Sequence, residues 1–329
     1  MSETIVAEDA EMPLSEQVAD SVVRYVRVGS TNDVARQALL QGKIGYCDSA
    51  LPPMALIAAD VQEAGRGRMG REWLNRPSEC FMVSFVSVLP SSLVYDASIN
   101  GWLPVLAGLS SIDAVNEVLG HCNAHAIHHD CRLMLKWPND IFCEGFKMGG
   151  ILVESVQLDR NGAGKGIDNV AIHADASPDN THQNSSHDDG SQSEPLVGVI
   201  FGIGLNMNIP AESLPTQQAT SLQLHWEGLP QATVLRDRIA AGIAEKLREG
   251  LRSLVNNPTE YVDQLLKRYV HICWTVGRRV KANMVDGTVM YGNALSIMPD
   301  ASLRMMGDDG QIHVVHTGDV GILPAQSDS

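Results

Sequence analysis

Twelve positions, Gln62 to Trp73, hold three glycines (Gly65, Gly67, Gly70) and three arginines (Arg66, Arg68, Arg71). Glycine lets backbone amides approach a ligand and reach positive φ. Arginine adds a permanent charge and a planar fork suited to carboxylate or phosphate. Such a stretch reads as a loop that wraps an anion. In a chain of net charge −15, a basic cluster calls for more than solvation. The glycines also spell Gly-x-Gly-x-x-Gly, which marks dinucleotide binding only between a strand and a helix. Ala55–Val61 supplies a strand. Pro77 and the β-rich run Phe81–Leu89 deny the helix. The expectation is strand, long loop, strand, and a nicotinamide dehydrogenase is disfavoured.

Other polar groups stand where backbone turns. Pro138 takes Trp137 out of the helical region, and Asn139-Asp140 suit a turn. A strand over Leu133–Trp137 therefore ends in two side chains able to meet metal or nucleotide. Lys147 precedes Gly149-Gly150, where a ligand can come close; alone it reads as a surface lysine. Gly202 and Gly204 lie in an apolar strand, Leu196–Leu205, ending at Asn206. Asn206 either reads a base edge or caps a turn. Ser30, Thr31 and Asn32 either cap a helix or face a polar ligand. His121, Cys122, His125, His128, His129 and Cys131 offer zinc-type donors, but their spacing fits no common finger or ribbon. They read as a helix end and a loop.

These groups need a scaffold. Arg24–Val28 reads as a strand before a helix carrying Val34, Ala35, Ala38 and Leu39. Trp102–Leu119 has helical spacing and should back the sheet. Ile141–Cys143 and Lys147–Val156 form a hairpin about Glu144-Gly145-Phe146. Leu235, Ile239, Ile243, Leu247 and Leu251 recur every fourth residue, which predicts a helix over Thr233–Val255. Pro258 opens a second. Arg279–Met284, Thr288–Met298, Ser302–Met306 and Ile312–His316 follow as short strands, a small β-barrel beginning near 272–276.

The 329 residues allow two domains, and 44% hydrophobic residues allow a sizeable core. The acidic excess argues against general binding to nucleic acid or anionic membrane, and no apolar run spans a bilayer. Met1–Asp20 has no Lys or Arg, unlike a secretory signal or transit peptide. Residues 1–22 read as an acidic disordered tail, and 157–195, rich in Asp, Asn, Ser, His and Gly, as a disordered insertion. Six scattered cysteines, Cys47, Cys80, Cys122, Cys131, Cys143 and Cys273, read as reduced thiols of a cytoplasmic protein.

Ser30-Thr31-Asn32, Gln62 to Trp73, Lys136 to Asp140, Lys147-x-Gly-Gly-Ile-Leu-Val-Glu and Gly204-Leu205-Asn206-Met207-Asn208 follow one another over residues 30–210. The ordered set resembles the biotin–protein ligases, which attach biotin to a carboxylase carrier domain. The resemblance implies an α+β fold like class II aminoacyl-tRNA synthetases, a mixed sheet with flanking helices. A catalytic biotin- and ATP-binding domain would span 23–273 and an SH3-like β-barrel domain 274–325. It implies ATP, biotin and Mg²⁺, activation to biotinyl-5′-AMP, and transfer to a lysine of a biotin carboxyl carrier domain.

Carried over by position, Ser30, Thr31, Asn32, Gln62, Arg66, Gly67, Arg68 and Lys147 would contact biotin. Arg71, Trp73, Asn139, Asn206 and Arg236 would meet ATP or the adenylate. Arg68, Lys147 and Asp140 would be catalytic, with Asp140 assisting the incoming lysine or Mg²⁺ and no metal held by a protein cluster. The chemistry agrees. Two anionic substrates need cations that do not titrate, and a labile mixed anhydride needs a loop that excludes water.

The chain departs from some relatives. It shows no N-terminal DNA-binding domain, so no repressor role, nucleic-acid partner or membrane partner is expected. Glu79-Cys80 stand where small residues are usual, and Gly321-Ile322-Leu323-Pro324 lacks a basic residue. Monomer and homodimer both stay open. A lipoate or octanoate ligase of the same fold would carry a different arginine–glycine pattern. A non-catalytic biotin-binding module would lack charge at Lys147, Arg66 or Arg68.

Overall fold

The computed structural model describes residues 5–6, 12–45, 51–73, 76–129, 131–158, 170–171, 194–284 and 286–323. Most of the insertion expected at 157–195 lies outside them. Strands β1 (Ile5–Val6), β2 (Ser21–Val28), β3 (Ala55–Gln62), β4 (Cys80–Pro90), β6 (Leu133–Lys136), β7 (Asp140–Cys143), β8 (Phe146–Gln157), β9 (Val170–Ala171) and β10 (Leu196–Asn206) form one sheet. Its order is β1-β2-β3-β4-β10-β8-β7-β6, with β9 on β8. Only β2–β3 is parallel, so the sheet is mixed. Two further strands, β5 (His125–Ala126) and β11 (Trp226–Glu227), pair separately.

Alternation along β10 assigns the two faces. Val199, Phe201, Ile203 and Leu205 enter the larger core, packed with helices α4 (Trp102–His121) and α5 (Ala232–Asn256). The five every-fourth residues of α5 are completely buried, each contributing about 1.5–3 kcal/mol. On the other face Ile200 joins Ala35 and Leu39 of α2 (Thr31–Leu40). Gly202 and Gly204 continue that second face. It is therefore bare of side chains just beyond the start of α2. Helices α3 (Ser91–Val94) and α6 (Pro258–Ile272) complete this part.

Residues 13–22 do not behave as the disordered tail expected through 22. Pro13–Val18 is a short helix, α1, with Pro at its start. The Leu14 and Ser15 amides donate to the Asp237 carboxylate at 3.0 Å, and the Ser15 hydroxyl at 2.8 Å. Asp237, buried on α5, thus holds a segment whose own apolar content is too small to predict packing.

The C-terminal strands are β12 (Arg279–Asn283), β13 (Val289–Ile297), β14 (Leu303–Gly307), β15 (Ile312–Val315) and β16 (Asp319–Ile322). They run β15-β14-β13-β12-β16, all antiparallel. This unit is seated by two tryptophans. Trp102 Nε1 donates to Pro299 O and Trp137 Nε1 to Ala301 O, both at 2.8 Å. Among the described residues no helix is long and apolar enough to cross a membrane.

Candidate active site

The basic stretch after β3 folds back on itself. Gly67 N–H donates to Arg71 O at 2.7 Å and Trp73 N–H to Gly65 O at 2.8 Å. A Cβ on Gly65 would lie 2.5 Å from the Trp73 carbonyl oxygen, so glycine is required there. The tip is one 3-10 turn, Arg68–Gly70, with Met69 at φ 55°. The following helix of a dinucleotide fold is absent among the described residues, as Pro77 predicts.

The folded loop covers the bare face of β8 and β10. Together with the start of α2 it encloses a cleft of about 840 Å³, mouth included, a ligand-sized space. Of the residues singled out in the sequence, Ser30, Thr31, Asn32, Gln62, Arg66, Gly67, Arg68, Arg71, Trp73, Asn139, Asp140 and Lys147 all line it.

At one end Ser30 makes no side-chain cap, which disfavours the capping reading. Gln62 Oε1 instead accepts from Thr31 N at 2.8 Å and lies 3.2 Å from Thr31 Oγ1. Ser84 Oγ stands 2.7 Å from Thr31 Oγ1 and 2.6 Å from Asn32 Oδ1. Asn32 Nδ2 donates to Glu154 Oε2 at 2.7 Å, and Arg36 donates to Glu154 Oε1 at 2.8 Å. This end is a rigid, hydrogen-bonded polar seat. Sequence reasoning assigned no role to Ser84 or Glu154. A lone carboxylate in the apolar run of β8, facing the same side as Gly150, was the available signal for Glu154.

At the other end, the Trp73 indole lies on Gly204. A Cβ there would meet Trp73 Cε2 at 2.7 Å. The two ends meet at Gly150, where a Cβ would stand 3.5 Å from Lys147 Nζ, 3.5 Å from the Trp73 ring and 3.6 Å from Asp140 Oδ1. Lys147 Nζ is 2.6 Å from Asp140 Oδ1 and 5.8 Å from the Trp73 ring centroid. Burial pushes the Asp140 pKa up, but the charges and hydrogen bonds of Lys147 and Lys136 more than reverse this, leaving it below the ordinary carboxylate value.

The other cations are also held. Arg66 pairs with Asp33, and Arg71 with Asp319 of β16. Arg68 Nη1 donates to Asn139 Oδ1 at 3.3 Å. Desolvation lowers the Arg68 pKa, with Asp140 and Asp319 opposing it; a guanidinium stays charged regardless. Two buried donors, Arg66 Nε and Trp73 Nε1, have no hydrogen-bond partner. In a cleft of carboxylate-held cations, such orphans mark places where a ligand's acceptors fit.

The resemblance put Asn206 and Arg236 on the nucleotide, and neither lines the cleft. The Asn206 amide donates to Thr220 O at 2.8 Å, and Arg236 Nη1 to Asp60 Oδ1 at 2.5 Å. Both are buried and turned to internal partners. Of the His121–Cys131 donors, only Cys131 belongs to a metal-type cluster among the described residues. Asp140's oxygens are taken by Lys147 and, at 3.3 Å, Lys136. Asp140 is thus no ready ligand for Mg²⁺.

The family model for the biotin/lipoate A/B protein ligases matches residues 30–167. The biotin–[acetyl-CoA-carboxylase] ligase of Mycobacterium tuberculosis is 28% identical over 268 residues, 80% of this chain and 77% of that one. The ligase of the same name from Paracoccus denitrificans is 34% identical over 118 residues, 36% of this chain and 42% of that one. A biotin protein ligase from Aquifex aeolicus, solved with biotin and ATP, shares the fold with a TM-score of 0.57 and 19% identity, covering 92% of this chain and 99% of that one. The matched segment holds Ser30, Thr31, Asn32, the Gln62–Trp73 loop, Asn139, Asp140 and Lys147 of the cleft, and over it the chain is similar to the biotin/lipoate A/B protein ligases.

Proposed function

We infer that the protein is a biotin–protein ligase that makes biotinyl-5′-AMP from biotin and ATP and passes the biotinyl group to a lysine of a biotin carboxyl carrier domain. One observation carries the reading. Lys147 stands where the polar seat and the Trp73 seat meet, over backbone with no side chain in the way. An acid in the Asn32 seat and a nucleotide on Trp73 would bring carboxylate and α-phosphate together beside one ammonium.

In the first half-reaction the biotin carboxylate oxygen attacks the α-phosphorus, forming the acyl–phosphate bond and releasing pyrophosphate. Ser30, Thr31, Asn32, Gln62 and Arg66 would hold biotin, while Trp73 stacks the adenine and Arg71 meets phosphate. Lys147 and Arg68 would neutralise charge that builds on the transferring oxygens. Each exchanges its present partner, Asp140 or Asn139, for substrate oxygens. The folded loop over the cleft would keep water from the anhydride. In the second half-reaction the carrier's neutral amine attacks the acyl carbon, forming an amide and releasing AMP. Asp140, once Lys147 is drawn to phosphate, is placed to take the amine's proton. Mg²⁺ would arrive on the triphosphate and lower its charge.

Pyrophosphate exchange into ATP tests the reading, with biotin, lipoate or octanoate as the acid. Exchange with biotin alone is expected. Exchange with lipoate or octanoate and not biotin would overturn the assignment in favour of the sister ligases. Biotin binding without exchange in folded protein would mean a non-catalytic module.

A further inference from the structure

On the far side of the β7–β8 hairpin from Trp73, four side chains of metal-binding type converge without belonging to the cleft. Cys131 precedes β6, Cys143 ends β7, Glu144 opens the turn to β8, and His225 precedes β11. Donor atoms of Cys131, Cys143 and His225 all lie within 4.8 Å of one another. Cys131 Sγ is 3.8 Å from His225 Nδ1 and 3.2 Å from Glu144 Oε1. His225 Nδ1 is 3.4 Å from Glu144 Oε2. We propose that Cys131, Cys143, His225 and Glu144 form a structural zinc site.

Three of the donor separations have the length of a tetrahedral edge, and Cys143 lies within 4.8 Å of the Cys131 and His225 donors. With Zn–S near 2.3 Å and Zn–N or Zn–O near 2.0–2.2 Å, donors sit roughly 3.3–3.8 Å apart along its edges. The observed separations of 3.2, 3.4 and 3.8 Å are of that size. The donor set, two sulfurs with an imidazole and one carboxylate, suits zinc over the hard cations. His225 is already oriented for the role. Its Nε2 lies 2.6 Å from Thr220 Oγ1. A proton on Nε2 donated to that hydroxyl leaves Nδ1 free as a ligand, the usual arrangement behind a metal-bound histidine. Cys143 is fully buried and His225 nearly so, while Cys131 and Glu144 are half-buried. The site is thus closed on one side, as structural zinc sites are. Glu144 holds φ 50°, where Asn or Gly would sit more easily. Its carboxylate is the group that reaches both Cys131 and His225.

The ion would bind two separate pieces of chain. The β6–β7 hairpin gives three ligands, and the segment before β11 gives the fourth. That segment also holds the backbone of Lys147. Thr220 N–H donates to Lys147 O and Lys147 N–H to Gln218 O, both at 2.8 Å. Zinc would therefore brace the strand end that carries the cleft's central ammonium, without touching substrate.

The test is metal content of the tag-free, full-length chain grown in zinc-supplemented medium and dialysed. About one zinc per chain is expected. Refilling with cobalt(II) should give a thiolate-to-cobalt charge-transfer band in the near ultraviolet. Cys131→Ser should lose both the zinc and the band while keeping the wild-type circular dichroism. Zinc-free wild type would overturn the proposal. So would zinc retained in full by Cys131→Ser, or cobalt bound without a thiolate band. If Cys131→Ser does not fold, Glu144→Gln decides. It should release zinc to a chelator faster than wild type, and an unchanged release rate would also refute the site.

Discussion

Two glycines on β10 divide the cleft, and adding one methyl to each should injure the two substrates separately. In Gly202→Ala the new Cβ would stand 2.3 Å from Asn32 Oδ1 and 2.9 Å from both Cγ and Nδ2. Asn32 cannot yield cheaply, because Glu154 at 2.7 Å and Ser84 at 2.6 Å hold its amide. Losing one buried hydrogen bond costs about 1–3 kcal/mol. At about 1.4 kcal/mol per tenfold, the KM for biotin should rise roughly 5- to 150-fold. In Gly204→Ala the Cβ would meet the Trp73 indole at 2.7, 2.8 and 3.0 Å. Trp73 is half-buried and can swing outward, giving up a base-stacking surface worth about 1–3 kcal/mol. That raises the KM for ATP over the same range. The cross-effects, Gly202→Ala on ATP and Gly204→Ala on biotin, should stay near twofold, the scatter of about 0.5 kcal/mol for unlinked sites. Pyrophosphate exchange at varied biotin and varied ATP reads all four numbers, with thermal melts as the control for folding. Exchanged effects, or two unchanged variants, would refute the placement of the two seats.

Arg68→Gly should still form the adenylate but let it escape, labelling bystander lysines; strict carrier specificity in mass-spectrometric mapping would remove the sealing role from the loop. Asp140 titrates below the ordinary value of 3.8 in the folded chain, so its stabilisation is complete above that pH and is lost as pH falls through the lower, folded value. Asp140→Asn should therefore be less stable than wild type at neutral pH, and the gap should close on acidification; urea melts showing a constant gap would contradict this. Removing residues 160–194 should leave exchange within a few-fold. Leu158 N–H already meets Leu196 O at 3.3 Å, and Gln157 pairs with Val197. A short turn can thus join β8 to β10, and a folded but inactive deletion would give the insertion a function.

The parts of the cleft made from one stretch were legible. The glycine–arginine loop carries its signal within a dozen residues, whereas Lys147, a surface lysine by itself, was placed in the cleft only by the resemblance. What escaped was made by distant partners. Ser84 and Glu154 matter through Asn32, separated from them by 52 and 122 residues, and no local pattern records such a contact. Asn206 was placed by motif order and Arg236 by the resemblance at the start of the long helix, whereas Thr220 and Asp60 decide where they point. Strand β16 is four residues long, too short for a periodicity to show, and gains its identity by pairing with β12. Cys131 read as loop because one proposed co-ligand, His225, comes 94 residues later.

The way the C-terminal unit is seated bears on how freely it can be exchanged. Both tryptophan donors bind main-chain oxygens, Pro299 O and Ala301 O. A Cβ on Gly101 would stand 2.5 Å from a third such oxygen, Asp300 O. The seat therefore recognises the path of a three-residue loop, and of its side chains the buried Ala301 packs against the joint. Sequence drift at 299 and 300 that preserves the path costs the joint little, whereas position 301 must stay small; a unit from a distant relative that follows the same path with a small residue there would graft onto it. What such a graft must still supply is Asp319, the carboxylate that reaches back to Arg71.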